Sequence, residues 1–101
     1  MSGPDLLDAL RAALGAQFVV ERPLGAGAMG TVVLARDLTL ERPVAVKVVN
    51  PELAASRSFR DRFLQEARTV AKLRHHNLVA VHAAGEAGGL VFAIMEYVPG
   101  E

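Results

Sequence analysis

Apolar residues near the start of the chain recur at the spacing of an amphipathic helix. They lie at positions i, i+4, i+7 and i+8 and therefore share one helix face. Gly15 follows them as a stop signal. The pattern predicts a short packing helix over residues 5–14, with its apolar face formed by Leu6, Leu10, Ala13 and Leu14.

Three stretches with the character of strands come next. An extended segment begins at Phe18, and the β-branched, apolar stretches 31–35 and 44–49 are typical of strands. Asn50-Pro51 then favours a turn, which ends the third strand.

A second helix and two more strands complete the pattern. Ser58 and Asp61 match the S-x-x-D pattern that opens a helix, and we expect this helix to continue to about Arg74. Strands over residues 78–83 and 90–98 are joined by a hairpin-type turn over residues 85–89. The predicted order is helix, three strands, helix and two strands.

Composition excludes several classes of protein. The chain has 101 residues, with 11 basic and 11 acidic side chains and no cysteine. This length fits one small domain. The balanced charge argues against general binding to nucleic acid or acidic membranes, and the absence of cysteine excludes disulfides. His75, His76 and His82 are interpreted as structural, and we expect no metal site.

The sequence shows no pattern of a membrane span or secretion signal. No apolar run approaches the roughly 18–20 residues that span a bilayer. The first residues are acidic and lead into a charged stretch, unlike a signal peptide. A cytoplasmic location is the expectation for this part of the chain.

A glycine-rich segment, Gly25-x-Gly27-x-x-Gly30, is the first candidate site. A Walker P-loop would need Lys and Ser or Thr directly after the last glycine, and here Thr31 follows. A dinucleotide-binding loop would open a helix, whereas the residues after Gly30 favour a strand. The remaining interpretation is a glycine-rich hairpin folded over a polyphosphate, because glycine lets backbone N–H groups approach phosphate oxygens. Such segments are also common as simple tight turns.

Lys47 and Glu66 are charged residues in apolar surroundings. The strand period of two places Lys47 on one face with Ala45 and Val49. Glu66 falls within an apolar stripe of the second helix that includes Phe59, Phe63, Val70 and Leu73. A desolvated charge needs a partner, so we expect the two to pair. The alternatives are an edge-strand lysine that reaches water and a glutamate at the margin of the stripe.

These motifs together resemble the start of a eukaryotic-type protein kinase domain. The glycine segment is followed by Val32, then by Val44-Ala45-Val46-Lys47, then by Glu66 in a helix, in the order and spacing of that family. The stretch 73–79 is similar to the bacterial serine/threonine kinases. The resemblance covers residues 18–101 and leaves residues 1–17 as a helical extension. It implies the α+β fold of the kinase small lobe, a five-stranded antiparallel sheet with one major helix and a short N-terminal helix.

The resemblance also implies site roles. Gly25, Gly27 and Gly30 would cover the phosphates of ATP, Lys47 would hold the α- and β-phosphates, and Glu66 would fix Lys47. The adenine pocket and hinge would be formed by Leu24, Val32, Ala45, Met95, Glu96 and Val98, with Met95 as the gatekeeper.

The family's second lobe carries the catalytic base and the ligands of Mg²⁺, and its motifs are absent from these 101 residues. We therefore expect an ATP-holding lobe that needs this second lobe as a partner and is inactive alone. One alternative is a standalone lobe that acts as a regulatory or binding module. Another is an unrelated nucleotide-binding enzyme, in which Gly30 would begin a helix. The protein substrate and the regulatory stimulus are not predicted.

Overall fold

The structure is a computed structural model. It describes the backbone of residues 3–28, 30–73 and 81–97 and the side chains of residues 5–28, 30–68 and 83–97. In chain order its strands are β1 (Phe18–Ala26), β2 (Gly30–Asp37), β3 (Arg42–Val49), β4 (Val81–Ala87) and β5 (Leu90–Glu96). Its helices are α1 (Gly3–Leu14), α2 (Pro51–Ala54) and α3 (Arg57–Leu73), and a 3₁₀ turn, Gly15–Gln17, links α1 to β1.

Within these residues the five strands form one antiparallel sheet in the order β1-β2-β3-β5-β4. The predicted five-stranded α+β fold is confirmed. β3, which carries Lys47, lies in the middle of the sheet between β2 and β5. The alternative of an edge-strand lysine is therefore wrong.

Side chains of β3 alternate between two apolar clusters, as the strand period requires. Val44, Val46 and Val48 belong to a cluster that includes Leu10 of α1. Val49 belongs to a second cluster on the opposite face, with residues of α2, α3 and β5. The helix α1 thus covers one face of the sheet, and α2 and α3 pack on the other.

The helix α1 has its predicted packing role. Leu10 is fully buried, and Leu6, Ala13 and Leu14 pack against the same cluster. Gly15 has a φ of 69°, a left-handed conformation in which glycine carries no side-chain penalty, and it ends the α-helix as predicted.

The connection from β3 to α3 differs from the prediction in two details. Asn50-Pro51 ends β3, but the turn is a short helix, α2, with Pro51 in its first turn. The hydroxyl of Ser56 accepts a hydrogen bond from the backbone N–H of Phe59 at 3.4 Å. Ser56 therefore caps α3, and the predicted cap Ser58 lies inside the helix because the helix begins one residue earlier, at Arg57.

The hairpin between β4 and β5 is tighter than predicted. Its two turn residues are Gly88 and Gly89, with φ values of 58° and 80°. Positive φ at both central residues is the signature of a type I′ turn, whose twist matches that of antiparallel strands. Gly85, which was predicted to start the turn, lies within β4 opposite Phe92.

Candidate functional site

A cavity of about 400 Å³ opens between the glycine-rich segment and β3. Its lining comes from the end of β1, the loop that follows, β2 and β3. These residues are Gly25, Ala26, Gly27, Ala28, Gly30, Val32 and Lys47. The structure therefore brings five of the predicted site residues together around one space, with Ala26 and Ala28 in addition.

The glycine-rich segment is a hairpin between β1 and β2, as predicted. Gly25 pairs with Val32 across the two strands, and the backbone N–H of Gly27 donates a hydrogen bond to the carbonyl oxygen of Gly30 at 2.9 Å. Gly30 begins a strand. A loop that opens a helix, which a dinucleotide-binding enzyme of the Rossmann type would need, is thus excluded here.

The three glycines differ in their surroundings. A Cβ at Gly25 or Gly27 would meet no atom within 4 Å, so the space beside their α carbons is open. A Cβ at Gly30 would collide with the carbonyl oxygen of Val48 in the neighbouring strand. At the first two positions the backbone is therefore open to approach from the side of the α carbon.

Lys47 lies on the face of β3 that borders the cavity. The register pairs it with Val32 of β2 on one side and with Ala93 of β5 on the other. It is half-buried and lines the cavity. The predicted face of the strand is therefore correct, and this lysine provides a cation beside a space lined mainly by backbone and small apolar side chains.

Glu66 does not pair with Lys47. Both residues are described, and no ion pair within 4.0 Å joins their side chains. Glu66 is exposed on α3. The predicted contact and the predicted burial of Glu66 are both wrong for this conformation.

The phase of α3 explains the exposure of Glu66. Leu64 and Ala67 are buried, and the partly buried Phe59 and Phe63 pack against the cluster that contains Leu64. At 100° per residue these positions centre the buried stripe about a quarter-turn away from Glu66. Glu66 thus lies at the margin, as in the alternative interpretation; the side chains of Val70 and Leu73 lie outside the described residues.

The remaining predicted residues that the structure describes do not line the cavity. Ala45 is buried and pairs with Met95 of β5, on the same face of the sheet as Lys47. Leu24 directly precedes Gly25 and is half-buried. Glu96 ends β5 and is exposed. Val98, like His75 and His76, lies outside the described residues, as does the side chain of His82.

Comparison of the sequence with known protein families identifies the family of this chain. Residues 18–101 match the protein kinase domain family. The chain belongs to that family. The match begins at the first residue of β1, so it contains the whole sheet and both helices that follow β3.

Curated relatives of this kinase domain are bacterial serine/threonine kinases. The chain is 47% identical over 85 residues to serine/threonine-protein kinase PknJ of Mycobacterium tuberculosis, covering 84% of this chain and 14% of the relative. It is 51% identical over 81 residues to PknB of the same organism, covering 76% and 13%. The chain thus spans about one seventh of the length of these relatives.

Solved kinase structures share the fold. The PknI kinase domain of Mycobacterium tuberculosis superposes with a TM-score of 0.73 at 38% identity, over 82% of this chain and 34% of that chain. A single-residue mutant of the same kinase domain gives a TM-score of 0.75 at 40% identity, over 84% of this chain and 34% of that chain.

Among the helices that the structure describes, none is long and apolar enough to cross a membrane.

Sequence reasoning missed one residue that contacts the glycine-rich loop. The side-chain amide nitrogen of Asn50 donates a hydrogen bond to the carbonyl oxygen of Ala28 at 2.7 Å. Asn50 was interpreted only as part of a turn. The signal was its position three residues after Lys47, at the end of the central strand, where a polar side chain can reach the neighbouring hairpin.

Proposed function

We propose that this chain is the ATP-binding lobe of a protein kinase that transfers the γ-phosphate of ATP to Ser and Thr hydroxyls of proteins. The observation that carries the proposal is the cavity in which a glycine-rich hairpin faces Lys47, within a chain of the protein kinase family. We propose that the chain acts together with the second lobe of the same domain.

The glycine-rich loop is proposed to cover the phosphates. Gly25 and Gly27 leave open space beside their α carbons, so phosphate oxygens can approach the backbone N–H groups without meeting a side chain. Gly30 is proposed to serve indirectly, because it lets β2 pack closely against β3 and so keeps the loop above the cavity.

Lys47 is proposed to hold the α- and β-phosphates. Its ammonium is the side-chain cation in the cavity lining, and a cation in a partly desolvated site attracts phosphate more strongly than one in bulk water. The bound nucleotide supplies the phosphoryl group, and Lys47 orients it and neutralises part of its charge.

The adenine ring is proposed to lie beyond Lys47, toward the end of β5. Leu24 and Val32 would form the upper wall of the pocket, and Ala45 would leave room for the ring. Met95, which pairs with Ala45 across the sheet, would limit the depth of the pocket. The backbone of the hinge, at Glu96 and Val98, would form hydrogen bonds with the edge of the ring.

Glu66 is proposed to fix Lys47 only after α3 changes position. In this structure Glu66 is exposed and does not contact Lys47. A rotation or shift of α3 toward β3 would bring the carboxylate to the lysine and anchor its ammonium against the phosphates. The position of α3 would therefore control activity.

Mg²⁺ is proposed to bind with the nucleotide. Among the residues that the structure describes, no three His, Asp or Glu side chains are grouped closely enough to hold a metal ion. We therefore assign no ligand of Mg²⁺ to this part of the chain.

The test is Lys47→Met in the full-length protein, with Lys72→Met as the control at the chain's other lysine. Wild type is expected to transfer radiolabelled phosphate from ATP to Ser or Thr of a protein substrate, identified by phosphoamino-acid analysis. Lys47→Met should lower kcat by at least about 100-fold, because the cation that faces the phosphates is lost. Full activity in Lys47→Met, or no labelling by wild type with any protein substrate tried, would refute the proposal.

A further inference from the structure

Asn50 lies where β3 ends and α2 begins. Its backbone carbonyl accepts a hydrogen bond from the N–H of Ala54 at 2.9 Å, so its main chain starts the short helix. An asparagine in this position usually turns its side-chain oxygen back onto the first N–H groups of the helix. Asn50 makes no such side-chain cap.

The side chain of Asn50 reaches instead to the glycine-rich loop. Its Nδ2 donates a hydrogen bond to the carbonyl oxygen of Ala28 at 2.7 Å, across 22 positions of sequence. Ala28 lines the cavity with Lys47. The contact therefore connects the tip of the loop to the end of the strand that carries the lysine.

Among the described residues, two hydrogen bonds act on this tip. One is internal to the loop and joins Gly27 to Gly30 at 2.9 Å; the other is the contact from Asn50. The internal bond sets the shape of the turn, whereas the bond from Asn50 sets its position relative to β3. The space beside the α carbons of Gly25 and Gly27 is open, so these two residues add no packing that would hold the tip in this position.

The bond also determines where a carbonyl dipole points. A phosphate-binding loop must offer N–H groups to the ligand, because a carbonyl oxygen beside a phosphate oxygen is repulsive. A peptide unit is planar, so a hydrogen bond to its oxygen fixes the whole unit. Asn50 engages the oxygen of Ala28 and so keeps it from turning toward the phosphates.

We propose that Asn50 is a positioning residue that holds the glycine-rich loop, through the carbonyl of Ala28, in the orientation that receives the phosphates of the nucleotide. The inference rests on the proposed ATP-binding function. Asn50 is expected to affect binding of the phosphates of the nucleotide and to leave binding of its adenosine part unchanged.

The test compares ADP with adenosine in the full-length protein, by calorimetry. In Asn50→Leu, which keeps the size of the side chain and removes the donor, the Kd of ADP is expected to rise about fivefold, the effect of one lost hydrogen bond. The Kd of adenosine should stay unchanged. Asn50→Gln, which retains the amide, should recover part of the ADP affinity. Ser56→Ala is the matched control, since Ser56 lies in the same connection and its hydroxyl contacts Ser58 and Phe59 of α3.

Each outcome decides the question. Equal losses of ADP and adenosine affinity in Asn50→Leu would show a general structural role and overturn the proposal, as would unchanged ADP affinity. Failure of wild type to bind ADP would instead refute the proposed function. If Asn50→Leu does not fold, Asn50→Ser replaces it: serine is favoured at the start of a helix, and its hydroxyl is one bond shorter than the amide nitrogen.

Discussion

At the scale of single residues, the glycines of the loop serve two different purposes. Gly30 is required by packing, because any side chain there would meet the backbone of Val48. Gly25 and Gly27 face open space, so packing does not require glycine there; under the proposed function, the requirement comes from the bound nucleotide. On that proposal, one sequence motif combines a structural position with two binding positions.

This difference predicts that substitution by alanine lowers stability at Gly30 and ligand binding at Gly25. Gly30→Ala should lower the free energy of unfolding by about 1–3 kcal/mol, because β2 and β3 must separate to admit the methyl group. Gly25→Ala should change it by less than about 0.5 kcal/mol and instead weaken ADP binding. Urea unfolding and ADP titration of both variants in the full-length protein measure the two effects; equal destabilisation would contradict the assignment.

Lys47 and Glu66 show how far sequence determines a site. The strand period and an antiparallel register define the face of Lys47, so its position was predictable. The outward direction of Glu66 was not predictable. If the buried face of α3 were rotated by one residue position, about 100°, Glu66 would move from the margin of the buried stripe to its centre. Leu64, which packs with Val49 of β3 and Val91 of β5, sets the phase of α3 through contacts between elements, which the local spacing of the sequence does not contain.

Glu66→Ala should separate activity from stability. Because the carboxylate is exposed and does not contact Lys47 here, its loss should leave the thermal unfolding midpoint of the full-length protein unchanged. kcat should fall about 10- to 100-fold, since the lysine would be held less well in the active arrangement. Glu52→Ala, at an exposed glutamate of α2, is the control. Unchanged turnover in Glu66→Ala would remove the proposed role of Glu66.

At the scale of elements, β2 and β3 were predicted better than the connections and better than β4, which was predicted to end at residue 83 and ends at Ala87. The β-branched runs that form β2 and β3 carry their own signal, whereas the ends of elements depend on a single cap or turn. Ser56 and Ser58 are both acceptable caps, and only the start of the helix at Arg57 selects the first. The same holds for the hairpin between β4 and β5, where Gly85, Gly88 and Gly89 are each compatible with a turn and the sequence alone does not select the pair that forms it.

The type I′ turn makes a prediction of its own. Gly88→Val should lower the free energy of unfolding by about 1–2 kcal/mol, because a β-branched side chain is strained at a φ of 58°. Gly88→Asn should be nearly neutral, since asparagine tolerates this conformation. Thermal unfolding of the two variants provides the measurement, and equal midpoints would show that the turn adopts another geometry.

At the scale of the whole molecule, α1 is part of the same core as the kinase fold. The family match begins at residue 18, yet Leu10 is fully buried in the cluster formed by the sheet. Arg11 adds a hydrogen bond from its guanidinium to the carbonyl oxygen of Val20 at 3.3 Å. The helix thus covers the sheet face opposite the cavity. Its amphipathic pattern was readable from sequence, but the surface it covers was not.

Leu10→Ala should therefore destabilise the protein by about 2–5 kcal/mol, the usual effect of removing a buried leucine side chain. Ala12→Ser, on the exposed side of the same helix, should change stability by less than about 0.5 kcal/mol. Urea unfolding of the full-length protein compares them. Similar midpoints would mean that α1 does not pack on the sheet in solution.

Side chains of β3 point alternately to the two faces of the sheet, so the strand cannot gain or lose a single residue without changing which side chains face the cavity. Val46 and Val48 contribute to the α1 face, and Lys47 between them borders the cavity. Loss or gain of one residue before Lys47 within the strand would exchange the two faces, bury the ammonium under α1 and present a valine to the cavity. Insertions and deletions in related genes should therefore be confined to the turns on either side of this strand.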